Sequence, residues 1–357
     1  MKMLFKNLSS LIPVFLACVA LPSCMSTETI EEVTSNEGEL SPIFLNLNAP
    51  KIDGTRADDS HLLRYTAKLF KGSPSNLDVS SMERKELIEG NTNELGNENQ
   101  IIFYLDPNTR YTIFVFADYV PSEKGLAVNT DHYFDTSVSN SYYDMYTKAG
   151  SGKITSDLGE DFFNNEHYDC FCGVVTDQKS EGKNVHDLTL KRVMGKVRFV
   201  DTSGISGNFT ISSSRLQHYT RLTVSQSTSG ALNLTSHSPS SLTIADNVNL
   251  SPDKDGNTEL FYYYTFANPG ENQMLDNSIN FKITDNRNGE TMEFKVTEIK
   301  VRQNYVTTVR GHFLPSAPLE EEPQPEPGPD KDGNVIILNL STDSDQWGQN
   351  VKDWTQE

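Results

Sequence analysis

Alternation of apolar and polar residues, rather than helical spacing, is the main pattern along the chain. Residues 61–70 (HLLRYTAKLF) alternate in part, and residues 278–285 (SINFKITD) and 290–301 (ETMEFKVTEIKV) do so on either side of Asn288-Gly289. A two-residue period is typical of half-buried strands, and Asn-Gly is a strong hairpin signal. Residues 111–119 (YTIFVFADY) are apolar on both faces, which predicts a central strand.

Short strands separated by turn residues continue through most of the chain, with no sustained helical period. The length of 357 residues favours more than one core. Residues 182–201 read as a strand that leaves one body and enters another, which predicts a boundary near residue 188. We therefore expect an all-β fold: two tandem β-sandwich domains of a transthyretin-like, Greek-key type, at 57–188 and 189–314, followed by an extended C-terminal tail strand.

Two similar short strands stand near opposite ends of the chain. Residues 43–48 read IFLNLN and residues 336–341 read IILNLS, so four of the six positions are identical. Alternate positions of a strand share a face, which gives two matching apolar sets: Ile43, Leu45 and Leu47 in the first strand, and Ile336, Leu338 and Leu340 in the second. A groove shaped for the first set would accept the second in the same register. Asn339 lies on the opposite face and is expected to tolerate replacement by Asp.

Two other interpretations of this match stay open. LNLT recurs at residues 232–235 and VNLS at 248–251, so the match also has a chance explanation. The second strand could instead fold back and pair within its own chain. Residues 315–334 before it are rich in Pro and Glu and should run extended as a linker. An apolar strand on such a linker has to pair with something, because an unpaired one is an aggregation hazard.

The amino terminus carries an export signal. A short basic stretch precedes the apolar residues 11–21, which are too few to span a bilayer. Leu21-Pro22-Ser23-Cys24 then resembles a bacterial lipoprotein signal, which implies cleavage of residues 1–23 and diacylation of Cys24. Two acyl chains would anchor the precursor stably. The alternative is a plain secretory signal with an incidental Cys. Residues 24–56 form an acidic tether and the first strand.

Two further cysteines lie in the stretch HYDCFCG. Cys170 and Cys172 are two residues apart, so in a strand they share one face, and a disulfide between them would be strained. We interpret them as small side chains on one strand face. His167, Cys170 and Cys172 could also ligate a metal, but a zinc site needs four ligands and the sequence offers no second cluster.

Charge and missing motifs limit the function classes. The formal net charge of −19 repels nucleic acid and anionic lipid. Residues 148–157 lack the Gly and the Ser or Thr of a phosphate loop, and no metalloprotease or nucleophile-elbow motif occurs. PDKDGN, at 252–257 and 329–334, lacks ligands of a calcium loop and is interpreted as a turn. We therefore predict a protein that is not an enzyme and needs no cofactor. A surface glycosidase is a distant alternative, since a pair of carboxylates could be hidden among the many acidic residues.

The order of these segments resembles the fimbrillin, or type V pilin, family of Bacteroidales, chiefly its Bacteroides-type lipoproteins. The resemblance is carried by the lipoprotein signal, the first strand, GTRAD at 54–58, LTLKRVMGKVRFVDT at 188–202 and RQNYVTTVRGHFL at 302–314. YTIFVFADYV and DCFCG are also similar to stretches of that group. The resemblance covers nearly the whole mature chain.

The resemblance implies an assembly mechanism. A surface protease would cut between Arg56 and Ala57 and release the first strand, and a C-terminal strand from residues 335–357 of another subunit would fill the vacated groove. The partners would be other fimbrial subunits, the outer membrane through the precursor's lipid, and a host or bacterial surface ligand, with no nucleic acid. The location would be the outer membrane and the fimbrium at the cell surface.

The tail after the second strand carries both tryptophans of the chain, Trp347 and Trp354. Trp347 follows the strand closely and is a candidate interface residue, because buried aromatics often anchor interfaces. The competing function is a monomeric surface lipoprotein that binds glycan or a host ligand through its loops. Such a protein would have little use for a detached strand, and this favours a pilus subunit. In the resembled family anchoring subunits tend to lack a donor tail, so the resemblance implies a stalk or tip pilin.

Overall fold

The fold comes from a computed structural model of the chain. It describes residues 40–49, 61–121, 133–135, 144–147, 162–223, 232–237, 242–268, 275–315 and 342–346.

Strands make up nearly all of the regular structure in these ranges. In the first part of the chain they are β1 (Ser41–Asn48), β2 (His61–Ser73), β3 (Asn76–Ile88), β4 (Gln100–Leu105), β5 (Arg110–Pro121), β6 (Phe134–Asp135), β7 (Asp144–Thr147), β8 (Cys170–Lys179), β9 (Asn184–Thr189) and β10 (Lys191–Arg192), with one short 3-10 turn at Glu166–Tyr168. In the second part they are β11 (Met194–Asp201), β12 (Gly207–Thr223), β13 (Leu232–His237), β14 (Leu242–Leu250), β15 (Thr258–Phe266), β16 (Leu275–Asp285), β17 (Thr291–Val301), β18 (Tyr305–Gly311) and β19 (Thr342–Gln346).

Hydrogen bonding arranges the strands in four sheets. Sheet I has the order β4-β1-β9, and sheet II has the order β10-β8-β5-β2-β3. Sheet III has the order β15-β11-β18-β19. Sheet IV runs β17-β16-β12-β7-β6, with β13 and β14 also paired to the long strand β12. The expected all-β fold with β-sandwich layers is confirmed.

One hydrophobic cluster joins sheets I and II. Its members come from both sheets, with the alternate residues Tyr65, Ala67 and Leu69 of β2 on one side and Ile101 and Phe103 of β4 on the other. β5 lies between β2 and β8, and all of its residues from Tyr111 to Val120 are buried. The prediction of a central strand at 111–119 is therefore confirmed.

A larger cluster joins sheets III and IV and reaches the second face of sheet II. Phe199, Phe261 and Phe281 pack here with ring centroids 4.5–5.3 Å apart. Cys170 and Cys172 belong to the same cluster, whereas Phe171 between them points into the first one. The two cysteines therefore share one strand face, as their spacing predicts. Both are free and fully buried, and burial raises the pKa of each thiol.

The chain passes from sheet I to sheet III within a few residues, close to the boundary expected near residue 188. β9 belongs to sheet I, β10 to sheet II and β11 to sheet III. Arg192 on β10 fixes this passage, since its Nε donates to the buried Asp169 carboxylate at 3.0 Å and its Nη1 to Asn304 Oδ1 at 2.7 Å. The domain bounds at 57–188 and 189–314 stay a prediction, and the short strands β6 and β7 from the first range pair into sheet IV.

The predicted hairpin around Asn288-Gly289 is present. β16 and β17 pair antiparallel from Thr284 and Thr291 outwards, and Gly289 has a φ of 78°. That left-handed backbone conformation favours glycine over residues with a Cβ.

Candidate strand-exchange groove

β1 is the middle strand of sheet I, and its two edges are held differently. It runs antiparallel to β4, with Leu45 opposite Ile101, and parallel to β9, with Leu45 opposite His186. Further backbone hydrogen bonds run from Leu47 N to Asn99 O at 2.9 Å and from Leu190 N to Asn48 O at 2.8 Å. The strand therefore closes a slot whose walls are β4 and β9.

The inward face of β1 is the set that the sequence singled out. Ile43 and Leu45 are 0% exposed and Leu47 is 2% exposed, and all three belong to the cluster between sheets I and II. Burying a side chain of this size stabilises a fold by about 1.5–3 kcal/mol. β1 is thus held by apolar burial on one face and by backbone hydrogen bonds on two edges.

The outward face of β1 is polar at its centre. Asn46 lies directly between Gln100 on β4 and Asp187 on β9. Gln100 Nε2 donates to Asn46 Oδ1 at 2.6 Å, and Asn46 Nδ2 donates to Asp187 Oδ1 at 2.7 Å. Nearer the start of the strand, the Lys183 Nζ lies 4.9 Å from the centroid of the half-buried Phe44 ring.

A polar pair lies on the inner side of the β9 wall. His186 Nε2 and the Tyr111 hydroxyl are 2.7 Å apart, and which atom donates depends on the imidazole tautomer. Burial lowers the pKa of His186, and burial raises the pKa of Tyr111 to about 12. Both side chains are therefore neutral near pH 7, which suits a position beside an apolar cluster.

The remaining predicted site residues fall outside the described residues, namely Cys24, Arg56, Ala57, Ile336, Leu338, Leu340 and Trp347. Arg56 and Ala57 belong to the stretch between Ala49, just after β1, and His61, the first residue of β2. Their roles stay predictions.

The tail contributes one described strand. β19 follows the candidate donor segment in sequence and pairs antiparallel with β18 of the same chain, from Tyr305 opposite Gln346 to Val309 opposite Thr342. β18 is thereby flanked by β11 on one edge and β19 on the other.

Sequence reasoning did not find Gln100, Asp187 or His186 as parts of the site. Gln100 and Asp187 lie 54 and 141 residues from Asn46 along the chain. Only the pairing of β1 with β4 and β9 brings them together. The alternation along β1 does place Asn46 on the outward face, but it cannot name the neighbours.

The arrangement would allow one strand to be replaced by another. Removing β1 would leave two strands with unpaired backbone edges above an apolar floor, and an extended peptide can satisfy both needs. Within the described ranges, no three His, Cys, Asp or Glu side chains group in a way that could hold a metal ion. The same part of the chain contains no helix long and apolar enough to cross a membrane.

Comparison with known proteins gives one family match. The family described as "Family of unknown function (DUF6562)" matches residues 35–337. No curated protein sequence matches the chain.

Solved structures similar to this chain include fimbrial proteins of Bacteroidales, the group that the sequence resembles. The fimbrial anchor protein Mfa2 from Porphyromonas gingivalis is 9% identical with a TM-score of 0.42, over 76% of this chain and 90% of that one. The tip fimbrial protein Mfa3 with C-terminal truncation, from the same organism, is 11% identical with a TM-score of 0.39, over 86% and 100%. A fimbrial assembly protein from Parabacteroides distasonis ATCC 8503 is 11% identical with a TM-score of 0.37, over 76% and 91%. With identities and TM-scores of this size, the argument about function rests on the chain's own geometry.

Proposed function

This chain belongs to the family of unknown function DUF6562, and we propose that it serves as a structural and adhesive subunit, stalk or tip, of a type V-like fimbria. In this proposal the precursor reaches the outer membrane as a lipoprotein acylated at Cys24. A protease cuts after Arg56 and releases β1. Residues 335–340 of a second subunit then enter the slot between β4 and β9.

The position of β1 is the observation that carries the proposal. It is the middle strand of its sheet, fully buried on one face, and connected to β2 only through residues 49–60. The first described strand, held in this way, can leave without breaking the order of the other strands, because β4 and β9 are each held by their own chain connections. Its departure leaves an aggregation-prone slot that a partner strand must fill.

The tail supplies a matching strand by sequence. The three apolar inward positions of β1 recur with the same residue: Ile43 as Ile336, Leu45 as Leu338, and Leu47 as Leu340. Since the floor of the slot is shaped by Ile, Leu and Leu at these positions, the tail segment meets the same packing requirement without rearrangement.

The experiment treats the folded full-length chain with an arginine-specific protease and follows polymers as ladders that resist cold detergent. Wild-type protein is expected to gain an amino terminus at Ala57, by mass spectrometry, and to form ladders. Arg56→Ala should keep β1 and stay monomeric. Lys51→Ala is the matched control, because it removes a basic residue from the same connecting stretch and should behave like the wild type.

A second arm tests the donor strand. Leu338→Asp should be cut at Arg56 as usual and yet form no ladders, because its charge would enter an apolar slot without a partner. Ladders from uncut Arg56→Ala protein, or from the Leu338→Asp protein, would show that polymerisation does not depend on strand exchange.

The alternative is a monomeric surface lipoprotein that binds glycan or a host ligand. One observation favours it: β19 pairs with β18 of its own chain, so part of the tail already has a partner. Under this alternative, protein cut at Arg56 stays monomeric at every concentration, and the fragment that contains β1 stays bound to the body.

A further inference from the structure

The outward face of the slot carries a polar contact that its apolar floor does not explain. Asn46 receives a hydrogen bond from Gln100 at 2.6 Å on one wall and donates one to Asp187 at 2.7 Å on the other. Both partners are its direct cross-strand neighbours. One side chain of the removable strand therefore bridges the two walls.

Asparagine suits this bridge because its amide has an acceptor and a donor on one short stem. Gln100 offers an N–H, so the bridging group must accept there. Asp187 offers a carboxylate, so the bridging group must donate there. Aspartate can accept but cannot donate when ionised, and it would bring a second carboxylate beside Asp187. Alanine can do neither.

The bridge would also distinguish the correct register of the strand in the slot from a shifted one. Side chains of a strand alternate between faces, so a slip of one residue would bring Leu to the bridging position and Asn to the apolar floor. The floor alone disfavours such a slip, but a slip of two residues would still place apolar residues at two of the three inward positions, with Asn334 or Thr342 at the third. A two-residue slip is the error that the bridge would detect, because it replaces the bridging Asn with a different outward residue.

The candidate donor strand repeats this feature at the matching position. From Phe44 onwards the outward residues of β1 are Phe44, Asn46 and Asn48, and those of the tail segment are Ile337, Asn339 and Ser341. Only the asparagine of the bridging position is the same in both sets, whereas its two outward neighbours differ.

We propose that Gln100 and Asp187 form a polar clamp that selects an incoming strand with Asn at the bridging position and fixes its register. The occupant is residues 335–341 of a second copy of this chain, so the inference rests on the proposed function. The outward face of the donor strand then contributes to assembly. Replacement of Asn339 by Asp is therefore expected to slow polymerisation, contrary to the mild effect expected from the sequence alone.

The test compares variants of the full-length chain after cleavage with the arginine-specific protease. Asn339→Asp should lower the rate of ladder formation by about tenfold or more, since a charge-assisted hydrogen bond is lost and a like charge is added. Adding Asp187→Asn should restore the rate to within about threefold of the wild type, because residue 187 can then donate to the new carboxylate. Ser341→Asp is the matched control and should have little effect, since it adds the same charge to the same face away from the clamp.

A parallel measurement uses the uncut chain. Asn46→Asp should lower the melting temperature, and Asp187→Asn in the same chain should recover most of the loss. This melting temperature reports the contribution of the clamp within one subunit, without any exchange between subunits.

The outcomes separate the clamp from the proposed function. Normal ladders from Asn339→Asp, or equal defects in Asn339→Asp and Ser341→Asp, would overturn the clamp and leave strand exchange standing. Failure of Asp187→Asn to rescue would also overturn it. If cut wild-type protein forms no ladders, the proposed function fails, and selection of a donor by the clamp fails with it, even if the uncut Asn46→Asp chain is destabilised.

Discussion

Replacing Leu45 by Ala should destabilise the uncut chain strongly and the cut and assembled material not at all. Leu45 is 0% exposed in the cluster between sheets I and II, with Ile101 opposite on β4 and His186 opposite on β9. A Leu→Ala change at such a position loses transfer free energy and leaves a cavity, which together cost about 2–5 kcal/mol. For a chain of this size, a loss in that range lowers the melting temperature by roughly 3–7 °C.

The assay is urea and thermal unfolding of the variant before and after cleavage at Arg56 and assembly. Asn48→Ala is the control on the same strand, because the Asn48 side chain is exposed and an ordinary surface change alters the free energy of unfolding by about 0.5 kcal/mol or less. Assembled material should show no difference between Leu45→Ala and the wild type, since the proposed exchange removes β1 before assembly. A destabilisation that persists in assembled material would show that β1 stays in the slot, and a loss no larger than that of Asn48→Ala would refute the packing argument.

Three further outcomes are expected. Cys24→Ala should not label with a palmitate analogue and should fail to reach the cell surface, and normal labelling of the variant would contradict the lipoprotein assignment. Because burial lowers the pKa of His186, the folded chain binds this proton less readily than the unfolded chain. The free energy of unfolding should therefore be fully retained above about pH 6.5 and fall as the pH drops through the lower folded pKa, and His186→Gln should flatten that dependence in urea titrations. Assembly should shift tryptophan emission to the blue and weaken acrylamide quenching, with Trp347→Ala weakening polymers more than Trp354→Ala. Emission that stays red in polymers would exclude the tail beyond the strand from the joint.

The alternation of apolar and polar residues correctly predicted which face of individual strands is buried. The alternation in IFLNLN placed Ile43, Leu45 and Leu47 on one face, and the structure buries all three. The unbroken apolar run at 111–119 likewise identified the central strand β5. Such predictions succeed because burial of alternate residues depends on the backbone period and not on which neighbour supplies the core.

Neighbour identity could not be predicted in the same way. β1 pairs antiparallel with β4 and parallel with β9, and nothing in its own residues distinguishes these partners. The sequence therefore did not identify Asn46 as a bridge between Gln100 and Asp187. The short strands β6 and β7 were missed for a related reason. They are two and four residues long, below the length at which a period can be recognised, and they are strands only because β12 pairs with β7.

The direct run from β9 to β11 has a mechanical consequence. β9 forms one wall of the slot, and within residues 184–201 the same backbone reaches β11, which pairs in parallel with β18, the last strand before the linker. A pull on a strand seated beside β9 would thus travel along continuous backbone and across the β11–β18 ladder before leaving through the tail. Along that ladder the hydrogen bonds lie across the direction of tension and resist together rather than opening one at a time. Arg192 lies on β10, between β9 and β11, and its hydrogen bonds to Asp169 and Asn304 tie this part of the backbone to two other segments of the chain. In a fibre of such subunits, tension would be carried by the strands of the sheets and not by the loops.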